Sequence, residues 1–71
     1  MSKLLSSKKI IRVLEKHTFI FISQKGSHIK FRKIGKKNLT VIVPANKKEI
    51  PSGTVSSIIR QADLTRENFN I

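Results

Sequence analysis

The sequence predicts an α+β fold, a two-layer sandwich with the order helix, three-stranded antiparallel sheet, helix. Three observations predict it. Residues recur at helical spacing near each end of the chain, the apolar Ile10, Val13 and Leu14 with His17 on one face, and Val55, Ile58, Ile59 and Ala62 on another. Between them, Phe19–Ile22, Ile29–Arg32 and Leu39–Val43 read as strands joined by links rich in Gly, Lys and Asn. Both helices carry a single apolar stripe, and a three-stranded sheet has one face to offer them, so its other face is expected to stay open.

Each element has a local cause. Ser6 is the expected N-cap of the first helix, with Leu5 and Ile10 at the two positions of a hydrophobic staple. Lys8 and Lys9 in its first turn oppose the helix dipole, whereas Lys16 and His17 suit its far end. His17 reads as a cap or packing residue, the usual lot of a lone histidine closing a helix. The hairpin comes next. Phe19-Ile20-Phe21-Ile22 runs into Gln24-Lys25-Gly26-Ser27-His28, and Ile29-Lys30-Phe31-Arg32 runs out. Period-two geometry sends Ile29 and Phe31 one way and His28, Lys30 and Arg32 the other. Gly35 and Asn38 form the next turn, and Leu39–Val43, β-branched at four of five positions, is the third strand, ended by Pro44. Ser52 is the expected N-cap of the last main helix. Leu64-Thr65 reads as a further staple and cap, with Phe69 facing Leu64 and a closing helical turn over roughly residues 66–70.

Seventy-one residues make one domain, 1–71, which buries only about 60–65% of its unfolded surface. Without cysteine there is neither a disulfide framework nor a thiolate metal site. The apolar run Phe19–Ile22 is far short of the ~18 residues of a membrane span, and no apolar signal region follows the basic start. A cytoplasmic protein without membrane contact is the expectation. Charge is the loudest feature, with fifteen Lys and Arg against four acids, net +11. It is lopsided too: residues 1–38 hold eleven bases and one acid, net +10, and residues 39–71 hold four bases and three acids, net +1. Such asymmetry points to a surface that tracks phosphates, although a solvated cationic shell would look similar.

The candidate chemistry sits in the hairpin. An imidazole titrates near pH ~6.5, which suits proton transfer close to neutrality. RNA carries its own nucleophile, the 2′-hydroxyl beside each phosphate. Its cleavage needs a base for that proton, an acid for the leaving 5′-oxygen and positive charge for the transition state. His28 could serve as the base or, protonated, as the acid, with Lys25 and Lys30 as the nearest phosphate clamps. Gly26 allows either a tight turn or a close approach to phosphate. Ser27 could bond a phosphate oxygen or hold the turn, and Arg32 extends the cationic row. Taken blind, a histidine at a strand start is more often a surface residue, and Gly-Ser more often a plain turn. Other chemistries lack residues. The four acids are scattered, no nucleotide-binding glycine loop exists, and no metal or cofactor is expected. The four phenylalanines fit a core pattern better than a base-stacking platform, with at most one of Phe19 and Phe21 pointing outward.

Gln24-Lys25-Gly26-Ser27-His28 resembles the glycine-serine-histidine signature of the HicA family, the small toxin RNases of bacterial toxin–antitoxin pairs. The resemblance continues through Ile50-Pro51-Ser52-Gly53-Thr54-Val55 and Ile58-Ile59-Arg60-Gln61-Ala62, and covers the chain from Leu5 to Phe69. It implies a fold like the double-stranded-RNA-binding domain and a metal-independent endoribonuclease acting on mRNA. His28 would be catalytic, Lys25, Gly26, Ser27, Lys30 and Arg32 would hold RNA, and a HicB antitoxin would cover the His28 face. Two departures stand out. Thr18 replaces a glycine usual before the first-strand phenylalanine, so a turn of different build is expected there. Asn46, which cannot titrate, replaces a histidine common two residues past the strand-ending proline. The rival reading is a non-catalytic module binding duplex RNA, but Ser52-Gly53-Thr54 stands where such modules place a lysine cluster. A third reading, a ribosome-associated structural protein, has only size and charge behind it.

Overall fold

The computed structural model describes residues 5–71 and has the order α1 (Ser7–Lys16), β1 (Ile20–Lys25), β2 (His28–Lys33), β3 (Leu39–Pro44) and α2 (Ser52–Ala62), with a 3-10 turn at Arg66–Phe69. The strands form one antiparallel sheet in the order β1-β2-β3. Ile29 and Phe31 of β2 and Val41 and Val43 of β3 are buried with Ile10 and Leu14 of α1 and Val55, Ile58, Ile59 and Ala62 of α2. The α+β sandwich is therefore as the two periodicities require: helices on one sheet face, the other uncovered.

α1 begins as its sequence dictates. Ser6 is extended (φ −92°, ψ 164°), and its hydroxyl accepts a hydrogen bond from the Lys9 N–H at 3.2 Å. Leu5 and Ile10 are both buried, as a staple demands. The other end corrects an expectation. Thr18 takes the left-handed conformation (φ 69°) that glycine usually supplies, so the turn keeps its common build. The Phe19 N–H donates to the Leu14 carbonyl at 3.0 Å and Thr18 N–H to Glu15 at 3.1 Å, the paired bonds of a Schellman motif. Those bonds, with Leu14 and Phe19 buried beside them, outweigh the ~1–3 kcal/mol that a non-glycine residue pays there. His17 is the C-cap, its N–H donating to Val13 and Leu14 carbonyls.

α2 corrects a second one. Its N-cap is Pro51, whose carbonyl accepts the Val55 N–H at 3.0 Å, so Ser52 already lies inside the helix and no side chain caps that end. The closing turn follows the sequence: Thr65 accepts from the Asn68 N–H while Asn68 Oδ1 accepts from the Thr65 N–H at 2.8 Å, a capping box that seats Phe69 in the core.

The strands run further than their apolar runs suggest. β1 starts after Phe19, which belongs to the core, and continues to Lys25. Its register slips between Phe21 and Ser23, so Ile22 is the extra residue of a β-bulge. Phe21 pairs with Phe31 and meets its ring edge-on at 6.2 Å, yet Phe21 is 57% exposed while Phe31 is 2% exposed. Phe21 is thus not core, although the other three phenylalanines are. The cause is placement: both helices pack chiefly toward β3, and β1 is the strand farthest from it.

Candidate active site on the open face

Alternation along β2 builds the site. Ile29 and Phe31 go into the core, which leaves His28 exposed and Lys30 and Arg32 half-buried on the uncovered face. The register sets their neighbours: His28 lies between Lys25 of β1 and Pro44 of β3, Lys30 between Ser23 and Ile42, and Arg32 between Ile20 and Thr40. The structure therefore brings four of the expected residues, Lys25, His28, Lys30 and Arg32, onto one face. Lys33, next in the cationic run, is diverted to the opposite face, where its Nζ lies 5.9 Å over the Phe19 ring.

The turn that delivers His28 is tightly held. Gly26 has φ +60°, while Ser27 stays on the negative side, the sign pattern of a type II′ hairpin turn. A Cβ at Gly26 would meet nothing within 4 Å, so the glycine is required by backbone conformation and not by close packing inside the protein. The Gln24 Nε2 donates to the Gly26 carbonyl at 3.1 Å, and Ala45 N–H donates to the Ser27 carbonyl at 2.7 Å. The Ser27 side chain is exposed at the tip. Asn46 is exposed and left-handed (φ 56°), a conformation asparagine tolerates well, so here it shapes the loop beside Ser27 and His28.

One supporting residue escaped sequence reasoning. Ser7 is buried, donating its hydroxyl to the Pro44 carbonyl at 2.6 Å and accepting from the Lys47 N–H at 2.9 Å, while its own N–H donates to the Lys47 carbonyl at 2.9 Å. It ties the start of α1 to the loop leaving the strand that flanks His28. The signal was available: residues 7, 10 and 14 fall on one helix face, and the other two are core.

Chemically, the face offers one imidazole open to solvent and three cations spaced by strand geometry. Among the described residues, no three of His, Asp and Glu gather as metal ligands, and no helix is long and apolar enough to cross a membrane. A family model described as the HicA toxin of bacterial toxin–antitoxin pairs matches residues 7–64. No curated protein matches the chain. The match spans α1, the whole sheet and α2, including the hairpin that presents His28, and by it this chain belongs to the HicA family of toxins from bacterial toxin–antitoxin pairs.

Proposed function

We propose that this toxin is an endoribonuclease that cleaves mRNA without a metal ion, using His28 for proton transfer and Lys25, Lys30 and Arg32 to hold phosphate. The observation that carries the reading is the placement of an exposed histidine in line with cations on the one sheet face that the helices leave uncovered. In the reaction, a base removes the 2′-hydroxyl proton, O2′ attacks the adjacent phosphorus, and the P–O5′ bond breaks as an acid protonates O5′. The products are a 2′,3′-cyclic phosphate and a 5′-hydroxyl end. His28 supplies one of the two proton-transfer roles. Its partners stabilise the extra negative charge that develops on the phosphorane oxygens. General acid–base catalysis contributes about 10²–10⁴-fold, enough for a modest nuclease.

The type II′ turn holds Lys25 and His28 opposite one another, so a phosphate bridging them lies at the end of the hairpin. Ser27 stands at that tip, within the same stretch of chain. An acidic HicB-type antitoxin laid over the His28 face would exclude RNA, and its charge complementarity would make association fast and sensitive to salt. The single domain 1–71 would carry the whole activity.

The test is the chemistry of the cut ends. RNA incubated with the purified protein in EDTA is expected to yield 2′,3′-cyclic phosphate and 5′-hydroxyl termini by mass spectrometry. Products with 3′-hydroxyl and 5′-phosphate ends, or cleavage that stops in EDTA, would overturn the mechanism.

A further inference from the structure

We propose that the outer edge of β1 is a docking edge, and that its occupant is an extended segment of a partner protein carrying alternating acidic and apolar side chains. The two edges of the sheet differ. At β3, the Ile42 N–H donates to the Gln61 Oε1 of α2 at 3.2 Å, and Pro44 at the strand end has no N–H to offer, so that edge has fewer free donors. At β1, every residue of the strand is exposed, and among the described residues its outer side pairs with no other strand. Edge strands are ordinarily kept short, charged or covered, because unpaired backbone groups recruit other chains. Here the strand carries a bulge at Ile22, but it is neither covered nor charged along its first half. Ile20, Phe21 and Ile22 are 53%, 57% and 39% exposed in succession. Ile34, just beyond β2 at the end of the hairpin where β1 begins, is exposed as well. Scattered exposed apolar residues are ordinary, but a consecutive run on an unpaired edge marks an interaction surface.

Charge selects among the occupants. A second copy would bring another +11 molecule, and another Lys25, against this one. RNA could stack a base on Phe21, but it has no extended peptide backbone to complete the ladder and no use for the aliphatic Ile20 and Ile22. A protein strand satisfies the backbone and covers the apolar side chains. Its acidic side chains on the open face would meet Lys25, which pairs with His28, and lay their methylene stems against Ile20, while its apolar ones would meet Phe21 on the other face. An added strand lies ~4.8 Å from β1, and so roughly 10 Å from β2, which anchors a partner beside the site without filling it. The consequence for activity rests on the RNase reading above; the docking itself does not.

Amide hydrogen exchange of the full chain tests the proposal, with an octapeptide alternating glutamate and valine as probe. Octaglutamate and oligo(U) RNA of eight nucleotides serve as controls. The alternating peptide is expected to slow exchange of β1 amides at least tenfold at saturation, while octaglutamate leaves them unchanged. Phe21→Thr keeps a strand-forming residue at the exposed position that faces the peptide's valines and is expected to weaken peptide binding several-fold. Equal effects of the two peptides with no β1 protection would overturn the proposal, as would protection by the RNA. Protection without any probe, accompanied by a dimer mass, would assign the edge to a second copy instead. Cleavage is not among the readouts, so an inactive protein would sink the RNase reading and leave this result interpretable.

Discussion

β1 and β2 are six residues each, paired in one hairpin, and almost opposite in fate. β2 alternates between core and open face, whereas β1 is exposed from end to end. Apolar content does not explain this, since β1 contains Ile20, Phe21 and Ile22 in a row. Position does: the helices pack toward β3, and β2 lies next to it, so β2 has one covered face and β1 has none. A strand with one covered face can serve two purposes at once, and β2 does, with Ile29 and Phe31 holding the fold while His28, Lys30 and Arg32 face outward.

Phe31→Ala removes a ring from the centre of the core and is expected to cost about 3–5 kcal/mol, most of the stability that so small a domain has. Phe21→Ala, its direct cross-strand partner, removes chiefly an edge-on aromatic contact, for about 0.5–1.5 kcal/mol. Urea denaturation of both variants measures the difference. Equal losses would mean that β1 is covered in solution. A smaller effect concerns what keeps the helices on their side. Ser7→Ala strips the hydroxyl from the Pro44 carbonyl and the Lys47 N–H, and should lower stability by about 1–3 kcal/mol in the same experiment.

Lys25, Lys30, Arg32, Lys36 and Lys37 are the cations left to meet phosphates once Lys33 lies over Phe19. Five contacts at about −0.7 each give a log–log slope of RNA affinity against salt of roughly −3 to −4. Lys30→Ala should make the slope shallower by about 0.7, and Lys33→Ala should leave it nearly unchanged. Fluorescence anisotropy across a salt series reads both, and equal effects would remove the two-face assignment.

Most of the fold was legible because periodicity reports burial directly. Val55, Ile58, Ile59 and Ala62 are spaced for one helix face and are all buried, and the caps at Ser6 and Thr65 are where their side chains can reach the first free N–H groups. β2's alternation likewise puts His28, Lys30 and Arg32 on one face from the sequence alone. What could not be read depends on tertiary placement. Nothing in Ile20-Phe21-Ile22 says that the helices miss it, and nothing in a short apolar run announces a bulge at Ile22. The Thr18 turn departs from the expectation because two backbone bonds and the burial of Leu14 and Phe19 override the local φ preference. Pro51 displaced Ser52 as cap for a related reason: proline's fixed φ suits a helix entry, and the first intrahelical bond forms one residue early.

If β2 separates fold from chemistry, His28 can be removed without disturbing the strand that carries it. The most direct measurement is the single-turnover rate of RNA cleavage by His28→Ala beside the wild type, with both proteins checked for the same unfolding midpoint. The account predicts a variant as stable as the parent that binds RNA with similar affinity and cuts at least about 10²-fold more slowly. A folded His28→Ala protein cleaving at the wild-type rate would contradict it.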